Sequence, residues 1–151
     1  MRTTMQPRMN VIKPAADGYK ALLALETYIN GSPVPHGLLD LLRLRVSQIN
    51  GCAYCVNMHA RDAKKLGETD ERLWSVAAWR ESPLFTDEER AALALAEAAT
   101  RISDNPDGVP DDIWDTAADH YDEESLAALV MVIAAINAWN RINVTVRNPA
   151  V

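Results

Sequence analysis

Gly51-Cys52-Ala53-Tyr54-Cys55-Val56-Asn57-Met58-His59 holds both cysteines of this 151-residue chain and one of its three histidines. The cysteines stand three apart, and the histidine lies four beyond the second. The stretch reads as helix, which gives the spacing a geometric meaning. At about 100° per residue, Cys55 and His59 fall about 40° apart around the axis, and Cys52 within about 20° of His59. All three side chains then share one stripe, the arrangement a redox dithiol with its own base requires.

A thiol attacks well only as the thiolate. Free cysteine ionises near a pKa of ~8.5, and an adjacent imidazole or helix N-terminus lowers that value. His59 is the i,i+4 neighbour of Cys55, placed to take its proton and then stabilise the thiolate. Gly51 marks a break between two helices, so Cys52 falls in or near the first turn of the second, where unpaired N–H groups favour negative charge. Cysteines at i and i+3 of a helix can close a disulfide, because their Cα separation falls within ~4.4–6.8 Å. A sulfenic acid on one can therefore condense with the other. Other uses of these residues stay open. The pair could be two small buried hydrophobes. The trio could be part of a zinc site, Cys-x2-Cys-x3-His, although three ligands on one stripe diverge poorly around a tetrahedral ion. A c-type haem needs its histidine directly after the second cysteine, where Val56 stands.

Outward from the motif the chain reads as helix throughout. A first helix is expected from about Ala15 to Asn30, with Leu22, Leu25 and Ile29 in register, closed by Gly31. A second runs from about His36 to Asn50, with Leu38, Leu41, Leu42, Val46 and Ile49 as its apolar face. The motif helix ends at Leu66-Gly67. Thr69 or Asp70 caps a fourth, which continues through Arg80 to the stop at Ser82-Pro83. Thr86 and Glu89 form a capping box for a fifth, reaching about Ile102. Pro110 opens a sixth at its first position. The last runs from about Asp122 to Asn143, and its centre, Leu126 to Ile136, is apolar on most faces, as in a core or interface helix. Burial between subunits is expected for it. Val144-Thr145-Val146 is β-prone but isolated. Residues 1–14 read as an N-terminal arm, 15–147 as one helical domain and 148–151 as a tail.

Composition is that of an ordinary globular domain, 48% hydrophobic and 24% charged. The net charge of −6 disfavours nucleic acid as a partner. The longest apolar tract, Leu126 to Asn137, is too short to span a bilayer, so no membrane partner is expected. The first residues lack the apolar core of a secretory signal, which makes the cytoplasm the expected location. There a close cysteine pair is more often redox-active than structural. His36, His120, Arg43 and Arg45 read as solvated residues. Trp74, Trp79, Trp114 and Trp139 read as core, with Trp79 a candidate wall for a substrate pocket. Tyr54 stands beside both thiols, and Asn50 is placed to hydrogen-bond at the helix break.

The run Leu44-Arg45-Val46-Ser47-Gln48-Ile49-Asn50-Gly51-Cys52-Ala53-Tyr54-Cys55, followed by His59, resembles the alkylhydroperoxidase AhpD-like family of the carboxymuconolactone decarboxylase superfamily. The segments Ala78–Thr86, Glu89–Leu93 and Ile136–Asn143 are similar to it as well. The resemblance covers roughly residues 15–147. It implies an all-α fold of six to seven helices, assembled as a homo-oligomer, a trimer or hexamer. It implies reduction of hydroperoxides with no bound cofactor and an external dithiol as reductant. Cys55 takes the place of the peroxidatic thiol, Cys52 that of the resolving thiol, and His59 that of the relay histidine. The family's relay glutamate, twelve residues before the first cysteine, is Asp40 here, a carboxylate one methylene shorter. The decarboxylase branch generally lacks the cysteine pair, which disfavours lactone chemistry. A redox- or ligand-sensing protein with a switchable disulfide, and a metal-binding structural module, are the alternatives.

Overall fold

The computed structural model describes residues 5–150. Seven α-helices follow one another: α1 (Ala16–Asn30), α2 (His36–Asn50), α3 (Ala53–Lys65), α4 (Asp70–Ser75), α5 (Asp87–Thr100), α6 (Asp111–His120) and α7 (Glu123–Val146), with 3-10 turns at Val76–Glu81 and Ile102–Asp104. No strand occurs among the described residues. The all-α expectation holds.

The α2–α3 break forms as the motif demands. Gly51 closes α2 in the left-handed region, φ 69° and ψ 32°, a conformation that costs a residue with a Cβ about 1–2 kcal/mol. The Cys52 amide donates back to the Ser47 carbonyl at 3.0 Å, satisfying one of the last carbonyls of α2. The chain then turns, and Cys52 becomes the N-cap of α3.

Helix α2 is the centre of the fold and packs against α3, α5 and α7. Leu39, Leu41, Leu42, Leu44 and Val46 are fully or almost fully buried on it. The helix is therefore covered on more than the one face its periodicity announced. Leu129, Val132 and Ile136 of α7 and Leu93 and Leu95 of α5 complete the core. Each such side chain contributes roughly 1.5–3 kcal/mol of burial.

Helix α7 continues to Val146, past the expected end at Asn143, and absorbs the β-prone residues into its last turns. On length and composition it would pass for a membrane-crossing helix. Here eight of its residues, Leu126 to Asn140, are buried within the fold, while Val130 and Met131 face outward.

Caps sharpen the remaining boundaries. Thr69, not Asp70, caps α4, and the Thr86–Glu89 box is present. Pro110 is the N-cap of α6 rather than its first helical residue. Helix α4 stops at Ser75, and the chain tightens to 3-10 geometry with a kink at Ala78. The Arg90 guanidinium stabilises this departure by donating to the carbonyls of Trp79, Arg80 and Ser82. Two tryptophans depart from the core expectation: Trp74 is 76% exposed on α4 and Trp114 41% exposed on α6. Their helices bury Leu73 and Ala117 instead.

The described part of the N-terminal arm lies along the end of α7. The Arg8 amide donates to the Val146 carbonyl at 2.8 Å and its guanidinium to the Thr145 carbonyl at 3.1 Å. After α7 the tail crosses to α3, where the Asn57 side-chain amide donates to the Ala150 carbonyl at 2.9 Å.

Candidate active site

Cys52 and Cys55 are joined as a disulfide, with Cα atoms 5.3 Å apart. Cys52 caps α3 through its sulfur, which accepts the Cys55 amide at 3.3 Å. Negative charge developing on that sulfur would meet the positive end of the helix dipole. The pair is sealed, Cys52 at 2% and Cys55 at 0% exposure.

His59, one turn beyond Cys55, is also buried, and neither ring nitrogen has a hydrogen-bond partner. Burial first, and the nearby Arg43 charge second, push its pKa down to about 4, against a smaller opposing pull from Asp62. The imidazole is therefore neutral at neutral pH, with an unoccupied basic nitrogen. A buried polar group without a partner costs about 1–3 kcal/mol; both ring nitrogens are shut off from solvent, although the residue lines a cavity.

That cavity has a volume of about 700 Å³. Its polar end is formed by Glu26, Asn30, Asp40, Arg43, His59 and Asp62. Tyr19, Leu23, Tyr54, Met58, Trp139 and Ile142 supply apolar and aromatic walls, joined by Val11 and Ile12 of the arm and Pro149 of the tail. Neither cysteine lines the cavity, whereas His59 and its helix neighbours Tyr54 and Met58 do.

Asp40 lines the same cavity as His59, and its carboxylate accepts from Arg43 at 3.3 Å. Burial raises the Asp40 pKa and outweighs the Arg43 charge that lowers it. Arg43, expected in solvent, is buried at 7% exposure. It donates to Glu26 at 2.7 Å and to Asn30 at 3.0 Å, tying α1 to α2 at the cavity end. The other Glu26 oxygen accepts the Trp139 indole N–H at 3.0 Å. Nothing in the sequence singles out Glu26. Alone on an amphipathic helix and 17 residues from Arg43, it carries no pattern that would separate it from a surface glutamate.

Other expectations resolve around this site. Trp79 is buried at 5% exposure but packs away from the cavity, donating to Glu97 at 3.0 Å, and Trp139 takes the wall position instead. Arg45 is also withdrawn from solvent, bonded to Glu97 at 2.7 Å. Asn50 donates to Asn137 and Asn140 of α7, at 2.9 and 3.0 Å. Asn140 donates in turn to Ser47 at 3.0 Å, so a buried polar chain pins the helix break to α7. His36 bonds the Asn30 carbonyl at 2.7 Å, and His120 faces Glu88 at the surface. Among the described residues no group of three or more His, Cys, Asp or Glu side chains is arranged to hold a metal ion.

Residues 16–98 match the carboxymuconolactone decarboxylase family, and the chain belongs to it, as an AhpD-like member. It is 40% identical over 146 residues to the uncharacterized protein YdfG of Bacillus subtilis, covering 97% of this chain and 98% of that one. Among solved structures it is similar to a protein of unknown function from Agrobacterium tumefaciens proposed to be the antioxidant defence protein AhpD. That similarity has a TM-score of 0.90 at 38% identity and covers 95% of this chain and 97% of the other. The debrominase Bmp8, in complex with 2,3,4-tribromopyrrole, shares the fold at a TM-score of 0.79 and 20% identity, over 93% of this chain and 74% of the other.

Proposed function

We propose that the protein is a thiol peroxidase that reduces organic hydroperoxides through the Cys52–Cys55 couple. One observation carries the reading: a disulfide-forming pair at the start of α3 stands one turn from a neutral, unpartnered His59 that faces a large, mostly apolar cavity.

In the reduced protein His59 takes the proton of Cys55, and Asp40 completes the relay through a water. The thiolate charge beside the imidazole then raises its proton affinity above that of the oxidised site. Cys55 sulfur attacks the terminal peroxide oxygen and the O–O bond breaks. The alkoxide leaves with the proton from His59 as an alcohol, and Cys55 becomes a sulfenic acid. Cys52 sulfur attacks the Cys55 sulfur, water leaves and the disulfide forms. An external dithiol returns two electrons and two protons through a mixed disulfide. Attack on Cys55 releases Cys52 as thiolate at the helix N-terminus, where the dipole stabilises it. The protein works as a homo-oligomer, a trimer or hexamer, in the cytoplasm.

The test is one turnover. Pre-reduced protein, freed of reductant, is mixed with one equivalent of cumene hydroperoxide, and free thiols and intact mass are followed. Loss of both thiols with a mass fall of about two hydrogens is expected. Persistence of both thiols removes the peroxidase reading and favours a sensor or structural role.

A further inference from the structure

We infer that the cavity selects an uncharged hydroperoxide with a bulky apolar body and turns away anionic ones, with Glu26 as the specificity-determining residue. The inference deepens the peroxidase reading and rests on it for the identity of the reacting group.

Size comes first. A volume of about 700 Å³ lies in the range of sites for drug-sized ligands. Hydrogen peroxide would leave most of it to water. Leu23, Met58, Trp139 and Ile142, together with Val11 and Ile12, offer an apolar body its contacts.

Charge decides the rest. Three carboxylates line the cavity, Glu26, Asp40 and Asp62, against one guanidinium, Arg43. Arg43 is already engaged: one terminal nitrogen donates to Asp40, the other to Glu26 and Asn30. A carboxylate-bearing ligand therefore finds no free cation. It must break one of these bonds and stand beside Glu26, whose own oxygens are held by Arg43 and Trp139. Lys65 pairs with Asp62 at the rim, 3.6 Å away, and lines a smaller neighbouring cavity together with Arg61. His59 adds no cation to this wall, since its buried imidazole is neutral.

The test uses a matched pair, cumene hydroperoxide and its para-carboxylate, in single-turnover oxidation of the reduced protein. Binding of the corresponding alcohols to the oxidised protein is measured by calorimetry. The neutral peroxide is expected to react at least about tenfold faster, well below the roughly thousandfold effect of an unpaired like charge about 4 Å away, because Glu26 is already paired with Arg43. Glu26→Gln should bring the two rates within about threefold by speeding the carboxylate, and Asp62→Asn should move them the same way by less. Equal rates for the pair in the parent protein overturn the inference and leave the peroxidase reading standing. Selective binding of the neutral alcohol, with no oxidation by either peroxide, upholds the cavity's selectivity and removes the peroxidase reading.

Discussion

Arg43 and Arg45 stand two residues apart on α2, both withdrawn from water and both paired to carboxylates, yet they serve different ends of the molecule. Arg45 meets Glu97, which also accepts from the Trp79 indole and from Arg80. Burial would raise the Glu97 pKa, but the hydrogen bonds from Arg80, Arg45 and Trp79 outweigh it and keep the carboxylate ionised. Both carboxylate oxygens are occupied, and Glu97 lies outside the wall of the cavity that His59 lines. Arg43 meets Asp40, whose pKa burial raises, next to a histidine with two unpartnered nitrogens and an open volume. A saturated charge cluster holds helices together. An unsaturated one beside a cavity leaves a group free to move a proton.

Substitutions on the two sides should separate accordingly. Cys55→Ser, on the Arg43 side, should abolish peroxide consumption without unfolding the protein, while Cys52→Ser should trap a sulfenic acid or mixed disulfide on Cys55, visible by intact mass. Turnover of Cys55→Ser at the parent rate would break the assignment. Glu97→Ala should do the reverse. It leaves Arg45 buried without its partner, a loss of about 3–5 kcal/mol in urea unfolding. The oxidation rate of the protein that remains folded should stay within about twofold of the parent, since no catalytic pKa changes. A large rate loss at full stability would erase the distinction between the two clusters.

Acid should find the Arg43 side next. His59 has a folded pKa of about 4, below its ordinary 6.5. The unfolded chain therefore takes the proton first. The neutral burial of His59 contributes fully above pH 6.5, and its contribution is lost as pH falls toward 4, by up to about 3 kcal/mol. Asp40, with its pKa raised, acts with the opposite sign. The difference between parent and His59→Asn, in unfolding midpoints from pH 7 to 4, isolates the histidine. Parallel curves would mean that His59 is solvated. The smallest effect belongs to Asp40→Asn, expected to slow thiol oxidation by up to about tenfold, less than loss of a group that transfers the proton directly. An unchanged rate would remove Asp40 from the relay.

Much of this architecture is legible in the sequence. The capping box and the Gly51 break are local matters, set by backbone geometry over a few residues, and the structure reproduces them, with Cys55 and His59 one turn apart on α3 and Cys52 at its N-cap. The departures that shape the site are long-range. Arg43, Arg45 and Glu26 look like surface charges until a partner 17 or 52 positions away is known. Trp79 keeps the core place expected of it, and Trp139 rather than Trp79 lines the cavity, because a side chain's direction depends on which helix lies opposite. The end of the 3-10 turn after α4 is held by Arg90, a residue on another element.

The chain's own pattern thus determined an all-helical domain and a dithiol placed at a helix start one turn from an imidazole, because helical periodicity and caps act between near neighbours. Which carboxylates reach that imidazole, how dry it is and what shape of ligand can approach it were decided only by packing. α1, α2, α3 and α7 meet around the cavity together with both ends of the chain. Burial and charge at that meeting point depend on residues that no local pattern links.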